Sequence, residues 1–139
     1  MTIDLTTDHG KRVVHQLQHE AVIWLTTVGT SGTPQPNPVW FHYMDGDIYV
    51  YNQPDAVRLK NIAANNRVSL NFNTSEDGEQ VTVITGTAAI DEQFPKVAHN
   101  PDYCEKYAES LVAINSSPEK MSREYPVVLR ITPEKLRGW

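Results

Sequence analysis

Apolar residues recur at two periods along this chain, one typical of helices and one typical of strands. Three apolar side chains at helical spacing in residues 8–19 predict an N-terminal helix, which Asp8 is placed to cap. Residues 21–28 are dense in β-branched and aromatic side chains and end at a turn, so they predict a buried strand. In residues 80–90 the polar positions change from even to odd, which predicts a strand with a β-bulge near Gly86.

The middle of the chain reads as a run of strands joined by short turns. Three prolines alternate with polar residues in 34–38, just before the apolar run 39–44. Because proline donates no ladder hydrogen bond, we expect the first half of this strand at a sheet edge or a bulge. Asp45-Gly46 is a strong hairpin signal and leads into a strand over residues 48–51.

Helical signals recur further along the chain. Asp55 is placed to cap a short helix, after which residues 68–73 alternate strictly at period two and predict a half-buried strand. Asn100 followed by Pro101 predicts the start of a second helix, which Asn115-Ser116-Ser117-Pro118 then breaks. One face of this helix is apolar and is expected to pack on the sheet, and it carries Tyr103, Tyr107, Leu111 and Ile114. Residues 125–132 predict a last strand, followed by a tail that ends at Trp139.

About six strands in hairpins, with few helices, indicate a mainly β fold. The connections are mostly too short to hold a crossover helix, so the strands are expected to pair antiparallel. We predict one domain, residues 1–139, built as a six-stranded antiparallel barrel with accessory helices.

Composition and charge exclude several classes of function. Seventeen acidic residues against twelve basic ones give a net charge of -5, which disfavours nucleic acid and anionic membrane surfaces as partners. Cys104 is the only cysteine, so an internal disulfide is excluded. No apolar run approaches the roughly 18 residues needed to cross a bilayer, and no signal peptide is evident, so we expect a cytoplasmic protein.

The chain lacks the common signatures of nucleotide binding, nucleophilic hydrolysis and zinc proteolysis. His15 and His19 have the spacing of a metal-binding pair, but no third ligand is apparent, so no metal site is predicted. His42 lies between aromatic residues in a strand, where a hydrogen-bonded structural role is expected.

Two polar clusters are candidates for a binding site. Arg58, Lys60 and Asn61 lie at the start of a predicted helix, where basic side chains and free N–H groups together favour a phosphate. Residues two apart on a helix point about 200° from each other, so a plain basic helix face stays an alternative. The second cluster is Asn37-Pro38-Val39-Trp40, whose backbone and indole suit a planar heterocycle, although core packing explains Trp40 equally well.

The order of these motifs resembles that of the pyridoxamine 5'-phosphate oxidase-like split β-barrel flavoproteins, the FMN-binding split barrel fold. The resemblance covers roughly residues 20–90 and rests on four stretches, residues 27–41 (T-x-x-x-x-G-x-P-x-x-x-P-V-W-F), 45–46 (D-G), 58–70 (R-x-K-N-I-x-x-N-x-R-V-S-L) and 83–88 (V-x-x-G-x-A).

This resemblance implies a homodimer that binds a flavin-type cofactor at the subunit interface. The positions that match the family's cofactor-binding residues are Arg58, Lys60 and Asn61 for the phosphate, Asn37, Pro38, Val39 and Trp40 for the ring system, and Tyr51 and Asn52 for the sugar-phosphate part.

The motifs are most similar to the small branch that uses the deazaflavin coenzyme F420, with FMN-using relatives as the close alternative. An F420-dependent oxidoreductase would transfer hydride to a small organic substrate and needs no dedicated acid or base. A second alternative is a flavin- or haem-binding protein without turnover, in which His42 is the candidate haem ligand. The chain lacks an evident second arginine-rich site near its C-terminus, so oxidation of vitamin B6 is not expected.

Overall fold

The computed structural model describes residues 3–139, which form a mainly β structure. The strands within this range pair antiparallel in a single sheet with the order β2-β1-β5-β6-β7-β4-β3. The elements are, in chain order, α1 (Asp8–His19), β1 (Ile23–Val28), β2 (Pro34–Val39), β3 (His42–Met44), β4 (Asp47–Asn52), α2 (Val57–Ala64), β5 (Arg67–Asn71), β6 (Thr82–Ile90), a 3-10 turn (Val97–His99), α3 (Pro101–Lys106), α4 (Ala108–Ala113), α5 (Pro118–Glu124) and β7 (Val127–Gly138).

The sheet curls around an aliphatic core that lies on its inner face. Alternate residues of β1, β5 and β6 are buried, as the period of a half-buried strand requires. Val13 and Leu17 of α1 pack into the same core and cover one end of it. The mainly β, antiparallel architecture predicted from the sequence is therefore confirmed.

The strand count was predicted wrongly, because residues 3–139 contain seven strands rather than six. The apolar run 39–44 is not one strand. β2 pairs with β1 at one edge of the sheet, whereas β3 pairs with β4 at the opposite edge. Between them, the backbone N–H of Phe41 donates to the Tyr107 hydroxyl at 3.0 Å, which holds the connecting residues in place. The predicted edge position of the proline-rich segment is confirmed.

The Asp45-Gly46 hairpin between β3 and β4 is confirmed. Both residues have positive φ, 51° and 85°, as the favoured two-residue hairpin turn requires. Aspartate tolerates the left-handed region and glycine enters it without steric cost, so the dipeptide fixes this turn locally.

β6 keeps one phase from Thr82 to Ala88, across the bulge at Gly86, so the predicted change of phase is wrong. Thr82 is polar yet buried on the same side as Ile84, because its hydroxyl donates to Gln16 Oε1 at 2.7 Å. A bulge does occur at Gly86, but the extra residue belongs to β7: Thr85 pairs with Lys135 and Gly86 with Pro133, which leaves Glu134 outside the pairing.

Several predicted helix ends need correction. Thr7, and not Asp8, caps α1, and the Asp55 side chain does not cap α2. The cap at Asn100 is confirmed, although that helix is interrupted at Tyr107 and divides into α3 and α4. The α5 helix was not predicted, and β7 continues through the predicted tail. None of the helices in residues 3–139 is long and apolar enough to cross a membrane.

We expect Gly86→Ala to destabilise the protein, because an added Cβ would lie 2.1 Å from the carbonyl oxygen of Thr132. Overpacking of this kind costs roughly 1–3 kcal/mol of unfolding free energy, to be measured by urea denaturation. Gly29→Ala is the control, because its Cβ would meet the flexible end of Gln35 at 3.0 Å and the Thr33 carbonyl oxygen at an ordinary contact distance of 3.5 Å. Equal stability of the two variants would contradict the close packing at the bulge.

Candidate functional site

Residues between β6 and β7 form a helical insertion, residues 91–126, that packs against the outer face of β4. Ile48 and Val50 of β4 belong to the aliphatic core, whereas Tyr49 and Tyr51 belong to a second, mostly aromatic cluster shared with the insertion. β4 is consequently buried on both faces. The insertion thereby converts the outer face of a sheet into the wall of an enclosed space.

A cavity of about 210 Å³ lies between the end of β2, β4, the start of α2 and the insertion. We call it the Arg58 cavity. Most of its lining is aromatic or aliphatic, and one side chain is a strong cation. The lining residues are Pro38, Val39, Trp40, Tyr51, Arg58, Tyr103, Ile114, Met121 and Tyr125.

Arg58 is half-buried in the first turn of α2, and its Nε is buried without a hydrogen-bond partner among residues 3–139. Burial lowers the pKa of its guanidinium, whereas the nearby Tyr125 phenol raises it. Arginine nevertheless stays protonated at neutral pH, so a positive charge with an unused N–H lines this cavity. An anionic ligand would satisfy both the charge and the donor.

Trp40 supplies a fixed flat surface in the same cavity. Its ring stacks on Tyr107 with the ring centroids 4.5 Å apart and the planes 7° apart. Tyr107 is itself anchored, since its hydroxyl donates to the carbonyl oxygen of Ala21 at 2.7 Å. The indole is therefore held at the cavity by a side chain that is hydrogen-bonded to the backbone just before β1.

Two tyrosines of the lining are held in their neutral form. Burial raises the pKa of Tyr51 to about 12, and its hydroxyl donates to the carbonyl oxygen of Pro95 at 2.7 Å. Tyr103 is 1% exposed, and burial raises its pKa as well. Its hydroxyl has no hydrogen-bond partner among the described residues, so it is a free donor and acceptor in this lining.

The structure brings together five of the nine predicted site residues, namely Pro38, Val39, Trp40, Tyr51 and Arg58. The other four do not line the Arg58 cavity. Asn37 and Lys60 are exposed. For Lys60 this agrees with the helical geometry, because residues two apart on a helix point about 200° from each other and Arg58 faces the cavity. Asn61 and Asn52 are buried.

Both buried asparagines use their amide groups within the fold. Asn61 Nδ2 donates to Thr27 Oγ1 at 3.0 Å and to Gln35 Oε1 at 2.9 Å, so it ties α2 to β1 and β2. Asn52 Nδ2 donates to the carbonyl oxygens of Val50, at 2.8 Å, and Val127, at 3.1 Å, while its Oδ1 is buried without a partner. A structural role is thus visible for each.

Sequence reasoning missed the four cavity residues that the insertion supplies. Tyr103 was correctly placed on the apolar face of a helix, but nothing in the pattern showed which surface that face covers. Met121 and Tyr125 were missed because α5 was not predicted. A signal for this helix is present in the sequence, since Ser117 caps it and Pro118 is its first residue. Ile114 was predicted to pack inward, yet it is 57% exposed at the edge of the cavity.

The histidines lie away from this cavity. His42 is buried, but neither ring nitrogen has the hydrogen-bond partner that was expected, at least among residues 3–139. The rings of His15 and His19 are 4.3 Å apart on α1. The described part of the chain contains no group of three histidine, cysteine or acidic side chains placed to hold a metal ion.

Comparison with known proteins identifies the family. The family model described as pyridoxamine 5'-phosphate oxidase matches residues 10–139. A search of curated proteins finds no match to this sequence.

Three solved structures illustrate the range of similar proteins. An F420 reductase is 19% identical with a TM-score of 0.68, over 88% of this chain and 94% of its own. A FAD-binding protein from Mesorhizobium loti is 18% identical with a TM-score of 0.67, over 92% and 91%. HutZ, the haem storage protein of Vibrio cholerae, is 17% identical with a TM-score of 0.65, over 92% of each chain. At these identities the likeness concerns the fold.

We expect Asn61→Ala to lower the free energy of unfolding by roughly 1–3 kcal/mol, because the buried Thr27 hydroxyl loses its donor. Urea denaturation measures this change, and the exposed Asn66→Ala is the matched control. A stable Asn61→Ala variant with impaired phosphate binding would instead support the ligand role implied by the resemblance.

Proposed function

This chain belongs to the pyridoxamine 5'-phosphate oxidase family of split β-barrels, and from that premise we propose that it is an oxidoreductase that uses deazaflavin F420. In this proposal the Arg58 cavity receives the phosphate end of the cofactor, and hydride passes to a small organic substrate. The observation that carries the proposal is the buried, unpartnered Nε of Arg58 beside a fixed aromatic surface.

Arg58 has the chemistry that a phosphate group requires. Its guanidinium is planar, permanently charged and able to bind two phosphate oxygens at once. No carboxylate among the described residues lies within 4.0 Å of it, so the side chain is free to bind a ligand. The residues present therefore fit an anionic group of this kind.

The proline-rich strand β2 offers room for a flat ring system beside the cavity. Five of its six residues are exposed, and only Val39 is buried. Its prolines have no backbone N–H to donate, so a further strand could not form a complete hydrogen-bond ladder with the outer edge of β2. Together with Trp40, it presents a flat, largely apolar surface next to Arg58.

The cofactor, when bound, would supply hydride transfer, and the protein's own residues would bind and orient it. Arg58 would hold the negative charge, and Trp40 would fix the position of the ring system. The phenol of Tyr103 would offer a neutral hydrogen bond, because burial holds it in its protonated form. The surrounding apolar side chains Met121 and Ile114 would reduce the access of water.

FMN is the alternative cofactor, because it also has a phosphate for Arg58 to bind and a flat ring system for Trp40 to contact. Two of the similar structures, an F420 reductase and a FAD-binding protein, support a deazaflavin or a flavin and do not distinguish between the two. A haem-binding role receives less support at this cavity, because none of the nine lining residues is a histidine.

Titration with F420 and with FMN, followed by the quenching of cofactor fluorescence, tests the proposal. We expect saturable binding of F420, and Arg58→Ala should weaken that binding by roughly 1–3 kcal/mol, the range for losing a charged hydrogen-bond partner. Arg12→Ala is the control, because Arg12 is exposed and lines a different cavity.

Tight FMN binding without F420 binding would replace the first cofactor by the alternative. Binding that Arg58→Ala leaves unchanged would show that the phosphate lies elsewhere. Turnover is then measured by the oxidation of reduced F420 in the presence of candidate unsaturated acceptors.

The proposal includes a homodimer, because the site is incomplete within one subunit. The Arg58 cavity measures about 210 Å³, and ligand pockets generally need about 300–1,000 Å³. The exposed face of β2 and the exposed side chains of Val57 and Ile114 adjoin it. A second copy of the chain that covers these residues would complete the enclosure.

Light scattering at micromolar concentration should therefore give twice the mass of one chain. Ile114→Asp should shift the protein towards the monomer and weaken cofactor binding, since a charge would enter the interface. Val112→Asp is the matched control two residues earlier in the chain, because Val112 is 78% exposed and does not line the cavity. A wild-type monomer would contradict this part of the proposal.

A further inference from the structure

A second cavity, which we call the His42 groove, lies on the opposite side of Tyr51 and has a volume of about 360 Å³. Its floor consists of His42, Phe94 and Asn100, each less than a tenth exposed. The His42 and Phe94 ring centroids are 5.9 Å apart. The rim carries exposed residues of β3, the insertion and α3, namely Met44, Gln93, Pro95, His99, Pro101 and Asp102, with Asp91 partly buried beside them.

His42 is the unusual member of this floor. It is 8% exposed, yet neither ring nitrogen has a hydrogen-bond partner among the described residues. Burial lowers its pKa more than the nearby Asp102 carboxylate raises it, and Lys106 lowers it further. A neutral imidazole that lines the groove therefore offers one donor and one acceptor to a polar ligand.

Two carboxylates, those of Asp91 and Asp102, line the groove. Asp91 is already committed, because its Oδ1 accepts from two backbone N–H groups and its Oδ2 lies 3.6 Å from Arg130. Asp102 is exposed in the first turn of α3 and has no ion-pair partner within 4.0 Å in residues 3–139. None of the residues that line the groove is a lysine or an arginine.

We propose that the His42 groove is a second small-molecule site, which takes a compact ligand with a flat aromatic ring and a protonated nitrogen, such as an arylalkyl amine. The ligand ring would lie on the imidazole and phenyl rings of the floor. Its protonated nitrogen would bind the Asp102 carboxylate, and a polar group would meet His42. This ligand class is opposite in charge to the one that suits the Arg58 cavity, so the two sites select different molecules.

Benzylamine is the probe, and the NMR signals of the His42 ring and of the His99 and Asp102 backbone amides are the readouts. We expect these signals to shift saturably at millimolar benzylamine, whereas benzyl alcohol and benzoate should shift them far less. Asp102→Asn should weaken benzylamine binding roughly fivefold, as the loss of one exposed ion pair predicts.

Asp8→Asn is the matched control, since Asp8 is also an exposed aspartate in the first turn of a helix. His42→Phe keeps an aromatic ring on the floor but removes its polar atoms, so it should weaken binding further. Equal binding of all three probes, an equal effect of Asp8→Asn, or no saturable shift in the wild-type protein would overturn the proposal. Because Asp102→Asn alters only the surface, the test holds even where His42→Phe impairs folding.

Discussion

The guanidinium of Arg58 sets the central constraint on this structure, because a charge withdrawn from water needs compensation. No acidic side chain of the described chain pairs with it, and its buried Nε has no acceptor. Leaving such a donor unpaired costs about 1–3 kcal/mol. In the proposed function, an anion bound in this cavity, beside the tyrosines and the fixed tryptophan, supplies the missing acceptor.

The insertion between β6 and β7 makes that arrangement possible. Without it, Tyr49 and Tyr51 would lie on the solvent face of β4, and the Arg58 cavity would lose four of its nine lining residues. Phe94 stacks on Tyr49 with 3.8 Å between ring centroids, and the aromatic cluster extends from there to Tyr103. The split barrel thus supplies a rigid base, and the helices that follow β6 shape the sites upon it.

Sequence reasoning succeeded where the deciding chemistry is local. The Asp45-Gly46 turn, the Asn100 cap and the edge position of the prolines each depend on a few neighbouring residues. It failed where a distant partner decides the outcome. Thr82 has the polarity of an outer-face residue, yet it is buried because its hydroxyl donates to Gln16, a residue of α1 that lies 66 positions earlier in the chain.

The same limit applies to the candidate site. Arg58 and Trp40 could be identified from motif and chemistry, but the role of Asn61 depends on Thr27 and Gln35, which only the folded chain brings to it. The sequence also did not show that residues 39–44 divide between two edge strands. Both halves of this segment are apolar enough to form one strand, and the bond from the Phe41 N–H to the Tyr107 hydroxyl, at the point where the chain passes from one edge to the other, involves a residue far along the chain.

The two cavities share a wall whose hydrogen bonds are already satisfied. Asn100 Nδ2 donates to the Tyr51 hydroxyl at 3.1 Å, and Asn100 Oδ1 accepts from the Tyr103 backbone N–H at 3.2 Å. Tyr51 in turn donates to the carbonyl oxygen of Pro95. Coupling between sites requires an element with two arrangements, and a hydrogen-bonded network of this kind favours one. If the Arg58 cavity and the His42 groove bind their ligands as proposed, we therefore expect the two sites to bind independently, each by the charge of its own lining.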